Sequence, residues 1–189
     1  ENFVIDASNF KGNCEAVYFP ESVDEVVVIV KEANTNKTKV TIAGNGTGLT
    51  GARVPQNGIV IATDKLNKIL EINPAEFYAL IEPAVLLSDF QKELKQQNLF
   101  YPPDPTETNC YIGGTVATNA SGAKTFRYGP TRDYVIGLQI VLPDGEVLDL
   151  ERGKQKAVGY DLTLTTQSGN TISLQIPDYT FPAVKNASG

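Results

Sequence analysis

The sequence predicts an α+β fold in two parts, a small βαβ subdomain followed by a mainly antiparallel sheet with helices. Three observations predict it. Strand, helix, strand, glycine-rich loop and strand follow one another between Ala16 and Thr63, the order of a small parallel unit. Later strand-type runs come in hairpin order, most clearly Val135–Leu142 and Glu146–Leu150 about the turn Pro143-Asp144-Gly145. The 189 residues are 41% apolar and 20% charged, a globular composition that buries a core without a disulfide or metal staple.

The elements justify themselves in order. Ala16–Phe19 reads as the first strand. Ser22-Val23-Asp24-Glu25 is a capping box, and Val23, Val26, Val27, Val30 and Ala33 then form one apolar stripe at helical spacing. Lys39–Ala43 and Gly58–Thr63 are strands on either side of the glycine-rich loop, and Lys68–Ile72 and Phe77–Glu82 follow. Ser88-Asp89-Phe90-Gln91 is a second box, predicting a helix to about Gln97 with Phe90 and Leu94 inward. A seam near Leu66 is expected to divide a first subdomain, about 15–66, from a second, about 67–152. From 153 to 189 the texture changes to polar and Pro-bearing sequence with one convincing strand, Thr171–Ile176. That stretch reads as a disordered tail or as the opening of a further domain.

Composition excludes several functions. Sixteen basic residues against 22 acidic ones leave a net charge of −6, which argues against a nucleic-acid partner. With no His, a Ser-His-Asp triad, a Cys-His pair and a His-rich zinc site are impossible within the chain. Cys14 and Cys110 carry no CxxC spacing, and a reducing cytoplasm is their simplest setting. The aliphatic run Val26–Val30 is far too short for a transmembrane span, and Glu1–Cys14 lacks the apolar stretch of a signal peptide. The chain has no Met, so Glu1 is not expected to be the start of the gene product, and a fragment is expected.

Gly44-Asn45-Gly46-Thr47-Gly48-Leu49-Thr50-Gly51 follows a strand directly. Glycines at this density let several backbone N–H groups gather on one side, a nest for an anion and most often a phosphate. A flexible turn is the plainer reading of a Gly-rich loop, but the buried-type strand before it favours the anion. The run Gly46–Gly51 spells G-x-G-x-x-G, with Asp64 about where a ribose-binding acid would sit. A nicotinamide-type Rossmann unit nevertheless fails, because only Ala52–Asn57 remain for its helix and Pro55 interrupts them. A P-loop fails too, since no Gly-Lys-Ser/Thr follows. Small residues also dominate Gly113–Ala123. They suit close approach to a flat ligand or a tight helix crossing, and physics alone leaves both open.

Taken together, Val17-Tyr18-Phe19-Pro20-x-Ser22, the 44–51 loop, Pro102-Pro103-Asp104-Pro105, Ile112-Gly113-Gly114-x-x-Ala117-Thr118-Asn119, Arg127-Tyr128-Gly129 and Val141-Leu142-Pro143-Asp144-Gly145 occur in order. This series, over about Ala16–Gly153, resembles the FAD-binding (PCMH-type) domain of the vanillyl-alcohol oxidase and p-cresol methylhydroxylase flavoproteins. The nearest branch by resemblance is the glycolate oxidase and D-lactate dehydrogenase-like FAD-linked oxidases. The resemblance implies a pyrophosphate loop at Gly44, Asn45, Gly46, Thr47, Gly48, Leu49, Thr50 and Gly51. It implies a second FAD-contacting set at Pro103, Asp104, Gly113, Gly114, Thr118, Asn119 and Gly122, with Tyr128 and Gly129 beyond. In the family, FAD lies between two subdomains and its ring faces a separate C-terminal substrate domain. There a 2-hydroxy acid of the D-lactate, glycolate or D-2-hydroxyglutarate type gives a hydride to the flavin, which passes electrons to a further acceptor.

On this resemblance 1–152 is the FAD-binding domain and 153–189 opens a truncated substrate domain, with the catalytic residues expected beyond Gly189. No residue is assigned a metal. Without His the histidyl flavin tether of some relatives is impossible, so FAD is expected to be non-covalent; with the family's substrate-binding residues in its C-terminal domain, the fragment alone is expected to be inactive. After Gly159-Tyr160-Asp161-Leu162, where the family continues into Ser-Glu-Gly-Thr-Leu-Gly, Thr163-Leu164-Thr165-Thr166-Gln167-Ser168-Gly169 stands instead, so that segment is either postponed by an insertion or lost. Alternatives are an alkyl-glycerone-phosphate-synthase-like flavoenzyme, with which Ser121-Gly122-Ala123-Lys124 and Tyr128-Gly129 are compatible, or a binding module that has kept the fold and lost flavin.

Smaller signals point to plainer roles. Cys110 is expected as a buried thiol and Lys124 as an exposed loop lysine. Arg127 and Arg132 are both candidates to neutralise the pyrophosphate, with a surface pair to Asp133 the alternative for Arg132. The glycosylation patterns at Asn36, Asn45, Asn119 and Asn186 read as chance. Valine at Gly46 or Gly48 is expected to abolish FAD binding without unfolding the protein.

Overall fold

The computed structural model describes residues 2–152, 157–158, 161–165, 168 and 171–175. The chain divides into two compact units, Glu1–Val135 with Pro143–Gly145, and Ile136–Leu142 with Glu146 onward.

In the first unit β1 (Ala16–Tyr18), β2 (Val40–Ala43) and β3 (Ile59–Ala62) form a parallel sheet in the order β1-β3-β2. The central strand is the one whose sequence is apolar throughout. Ile59-Val60-Ile61-Ala62 pairs on both edges and is buried at every position, the pattern of a parallel strand covered on both faces. The crossover from β1 to β2 is α1 (Val23–Thr35). Ser22 caps it by accepting the Glu25 N–H at 3.2 Å, while the Glu25 carboxylate accepts the N–H of Glu21, one residue outside the cap. Of its predicted stripe, Ala33 is buried, Val26, Val27 and Val30 are half-buried, and Val23 lies at the exposed rim. Between Gly51 and β3 there is no helix, as Pro55 and the short spacing require.

Next come the antiparallel hairpin β4 (Ile69–Asn73) and β5 (Tyr78–Ile81), then α2 (Leu87–Gln96) and α3 (Ile112–Ala117). Their inward faces form one core of Val85, Leu87, Phe90, Leu94, Cys110 and Ile112, ringed by Ile69, Ile72, Ile81 and Tyr101. Phe90 and Leu94 point inward as their spacing predicts. The predicted start of α2 needs correction. Ser88 does not cap it: the helix begins at Leu87, no side chain caps it, and the N–H groups of Leu87 and Ser88 donate to the carbonyls of Cys110 and Thr108. A fully buried Leu87 fixes the first turn against the neighbouring segment, which supplies the acceptors a capping side chain otherwise provides. α4 (Thr125–Tyr128) and a 3₁₀ turn (Thr131–Tyr134) complete this unit.

In the second unit β6 (Gly137–Val141) and β7 (Val147–Glu151) make the predicted hairpin, and Gly145 takes φ +81° in its turn. β8 (Ala157–Val158), β9 (Asp161–Thr165) and β10 (Thr171–Gln175) form an antiparallel sheet in the order β10-β9-β8. The sequence points to β10 but not to β9, although Leu162-Thr163-Leu164-Thr165 alternates with the period of a strand. The last residue of the predicted 171–176 strand lies outside the described residues, as does the Asn186 pattern. Among the described residues no helix is long and apolar enough to cross a membrane.

Candidate functional site

β2 and β3 run parallel and end side by side at Ala43 and Ala62, and the glycine loop leaves from that end. The Thr63 N–H donates to the Ala43 carbonyl at 3.0 Å and fixes the take-off point. Beyond it the backbone N–H groups of Asn45, Gly46, Thr47, Gly48, Leu49 and Thr50 donate to no carbonyl or side chain among the described residues. Six successive donors without an internal acceptor are rare in a folded chain unless water or a ligand takes them. The loop is open as well as unpaired: a Cβ at Gly48 meets nothing within 4 Å, and Leu49 is 75% exposed. Gly46 and Gly51 have φ of +76° and +73°, left-handed backbone that favours glycine. These are the features of an anion nest.

The underside of the loop is a polar cluster that local sequence patterns do not announce. Arg53 donates from Nε to the Ile5 carbonyl at 3.1 Å, from Nη1 to the Gly44 carbonyl and from Nη2 to the Asn2 carbonyl. Its guanidinium also lies over the Phe3 ring, 5.5 Å from the centroid. Burial pulls the Arg53 pKa down, and the charges of Asp64 and Asp6 oppose that. Burial raises Asp6, but hydrogen bonds from Ser8, the Gly51 N–H and the charge of Arg53 together leave its carboxyl below the ordinary value. Asp64 accepts from the Tyr111 hydroxyl at 3.3 Å, and its other oxygen, Oδ2, is buried with no partner among the described residues. Burial first, then Asp64, holds the Tyr111 phenol above its usual pKa, so it remains a donor. Apart from Gly44, the residues that Arg53 contacts, Asn2, Phe3 and Ile5, lie about fifty positions earlier in the chain, so no local spacing marks them.

The second predicted set lies in the same unit but is built differently. Pro103 is buried and its carbonyl accepts from Gln91 at 3.4 Å. Asp104 pairs with Lys124 at 3.1 Å, and that lysine, exposed in a turn as expected, also lies over the Phe100 ring. The Gly113 N–H donates to the Pro83 carbonyl at 2.8 Å, and a Cβ there would lie 2.6 Å from Pro83. A Cβ at Gly122 would lie 1.6 Å from the Asp104 carbonyl oxygen. The N–H and hydroxyl of Thr118 both donate back to Gly114. Asn119 has φ +48° and accepts the Arg132 N–H through Oδ1. Gly129 has φ +85° beside the Asp133 carboxylate, and Tyr128 packs on Phe100 beneath the Arg127 guanidinium. In this set Gly114 alone among the glycines has an open Cβ direction. The two segments meet where Asn45 Nδ2 donates to the Asn109 carbonyl at 2.5 Å and the Tyr111 ring comes within 3.7 Å of a Cβ at Gly44.

Cys110 is buried, and burial raises its pKa, as a core thiol requires. Arg132 pairs with Asp133 at 3.8 Å, both exposed. A separate groove of about 350 Å³ lies along β1 and α1, lined by Tyr18, Phe19, Pro20 and Val28 among others. No glycine-loop residue lines it.

An α+β domain whose parallel strands end in an open glycine loop with the geometry of an anion nest is the class that fold and site define. The family model described as FAD binding domain matches residues 14–151. The chain belongs to that family, and FAD is its cofactor. The open, unpaired loop fits a diphosphate-bearing ligand. The chain is 40% identical over 166 residues to a D-lactate dehydrogenase of Anaerostipes hadrus, covering 86% of this chain and 35% of that protein. It is 39% identical to a D-2-hydroxyglutarate dehydrogenase of Stutzerimonas stutzeri, covering 78% and 32%, and 36% identical to glycolate oxidase subunit GlcD of Bacillus subtilis, covering 79% and 32%. A solved alkyldihydroxyacetonephosphate synthase superposes with a TM-score of 0.66 at 27% identity, over 72% of this chain and 28% of that one. The chain thus spans about a third of the length of the relatives it matches.

Proposed function

We propose that the chain is the FAD-binding portion of a flavin-dependent dehydrogenase or oxidase acting on a 2-hydroxy acid of the D-lactate, glycolate or D-2-hydroxyglutarate type. The observation that carries this is the row of unpaired amides from Asn45 to Thr50 at the end of a parallel sheet. They would hold the diphosphate, with FAD bound non-covalently. Gly114 and the neighbouring Thr118, Asn119, Tyr128 and Gly129 would lie along the rest of the cofactor, while Gly113 and Gly122 let their backbones approach closely enough to shape that wall. Bound FAD supplies a hydride acceptor for the substrate α-carbon. The domain on this reading is 1–152, in subdomains 15–66 and 67–152, with 153–189 opening the substrate domain that would carry the catalytic groups. A cytoplasmic setting and a separate electron acceptor complete the proposal.

The test is the purified full-length protein, examined for flavin absorption and assayed with D-lactate, D-2-hydroxyglutarate and glycolate against an artificial electron acceptor. Bound flavin with acid-dependent reduction of the acceptor is the expected result. Flavin bound without such reduction by any acid favours the alkyldihydroxyacetonephosphate-synthase-like reading, to which the superposition at TM-score 0.66 lends weight. Protein without flavin, and unable to take it up, would point to a non-catalytic module.

A further inference from the structure

A trans peptide is planar, so its C=O and the following N–H point in opposite directions. No peptide bond in the described residues is cis. In the glycine loop two carbonyls are held on the same side. The Gly44 carbonyl accepts from Arg53 Nη1, and the Gly46 carbonyl accepts from the Ala7 N–H at 3.0 Å. These donors belong to one cluster, because Arg53 also holds the carbonyls of Asn2 and Ile5 and its guanidinium would lie 2.7 Å from a Cβ at Gly46. With both carbonyls turned toward the cluster, the N–H groups of Asn45 and Thr47 must face the other way, and neither has a partner among the described residues.

We propose that Arg53, clamped to the Asn2–Ala7 tract, is a positioning residue for the FAD diphosphate, turning the Gly44 and Gly46 carbonyls inward so that alternate loop amides face the ligand. The proposal rests on the FAD reading of the loop. Arg53 touches no part of the ligand in this scheme. Its role is pre-organisation: a loop already shaped for its anion loses less conformational freedom on binding. The buried Asp6 accepts from the Ser8 N–H at 2.9 Å and so stiffens the same tract. A guanidinium suits the task because its fork reaches three carbonyls from two chain segments at once, which an ammonium on a flexible stem does not.

The test uses the apo form of the full-length protein and two ligands, FAD and riboflavin, which shares the ring but lacks the diphosphate. Arg53→Gln is expected to weaken FAD about ten- to a hundredfold, the range for a charge-assisted hydrogen bond. Riboflavin affinity should stay within about twofold. Arg53→Lys should recover only part of the loss, and Ala7→Pro, which removes the donor to Gly46, should reproduce the selective loss. Unchanged FAD affinity in Arg53→Gln, or FAD and riboflavin affinities falling together in all three variants, overturns the proposal. Wild-type protein that takes up neither ligand would instead overturn the FAD reading on which it stands.

Discussion

The two glycine-bearing segments of the first unit look alike in sequence and are opposites in structure. From Asn45 to Thr50 the amides have no partner among the described residues, and a Cβ at Gly48 meets nothing within 4 Å. From Gly113 to Gly122 most of the same groups are occupied: Gly113 donates to Pro83, Thr118 to Gly114, Asn119 to Val116, Ala120 to Thr115 and Gly122 to Thr125. A missing Cβ leaves open space at Gly48 in the first segment and permits chain-on-chain packing at Gly113 and Gly122 in the second. Glycine count alone does not separate these roles. The fate of the neighbouring N–H groups does.

Substitutions in the two segments should therefore fail in different ways. Gly122→Ala is expected to do the greatest damage, because its Cβ would stand 1.6 Å from a backbone oxygen at Asp104 that cannot rotate away. A loss of about 3 kcal/mol in stability is expected, the upper end for overpacking, read as a lower thermal or denaturant midpoint in the apo protein. An unchanged midpoint would mean that the 103–105 and 120–122 segments do not pack as described.

Gly48→Val should do the reverse. Its Cβ meets nothing within 4 Å, so the apo protein should melt within a degree or two of wild type. FAD affinity should fall about a hundredfold or more, because a branched side chain on this open turn blocks more than one charge-assisted contact. Flavin retained at wild-type affinity would remove the loop from the cofactor site. The companion substitution expected from sequence to behave the same way, Gly46→Val, is corrected by the structure. With φ +76° and Arg53 2.7 Å from its Cβ direction, it strains the loop even without ligand and does not isolate binding from folding.

What was legible in the sequence follows the same division between local and distant causes. Ser22 and Glu25 lie three residues apart and announce the start of α1, and Ile59–Ala62 shows by composition that it is the central strand. The 44–51 loop is marked in the sequence by four glycines directly after a strand, but only its unpaired amides separate it from the packed glycines of 113–122. The start of α2 was misplaced at Ser88 because its terminal N–H groups take acceptors at 108 and 110, beyond any capping window. Arg53 was missed because the carbonyls of Asn2 and Ile5 lie 51 and 48 positions away. A polar side chain whose partners are backbone groups brought by the fold leaves no motif.

Gly114 sharpens the comparison, being a glycine of the second segment with an open Cβ direction. It lies inside α3, where alanine is the better helix former, so Gly114→Ala should raise apo stability by up to about 1 kcal/mol. If this face of α3 borders the cofactor, FAD affinity should drop several-fold in the same protein. A stabilised variant with unchanged FAD affinity would confine the site to the first segment.

The smallest effect concerns what holds the second segment in place. Tyr101 packs edge-to-face on Phe90 of α2, at 5.4 Å, and on Tyr134 of the 3₁₀ turn, at 5.8 Å, linking the core helix to the chain beyond α4. Burial, with smaller contributions from Cys110 and Tyr134, pushes its phenol up to about 12. An acid with a pKa raised by folding is protonated in the native state while the unfolded chain has already lost its proton. Its contribution is therefore fully present below pH 10 and declines as pH rises from about 10 toward 12. A spectroscopic titration of tyrosinate should show a late step that Tyr101→Phe removes, and that variant should lose less stability than wild type over the same interval. A Tyr101 that titrates at its ordinary value would mean that the ring is not buried against Phe90, and that the second segment is not anchored to the core by this contact.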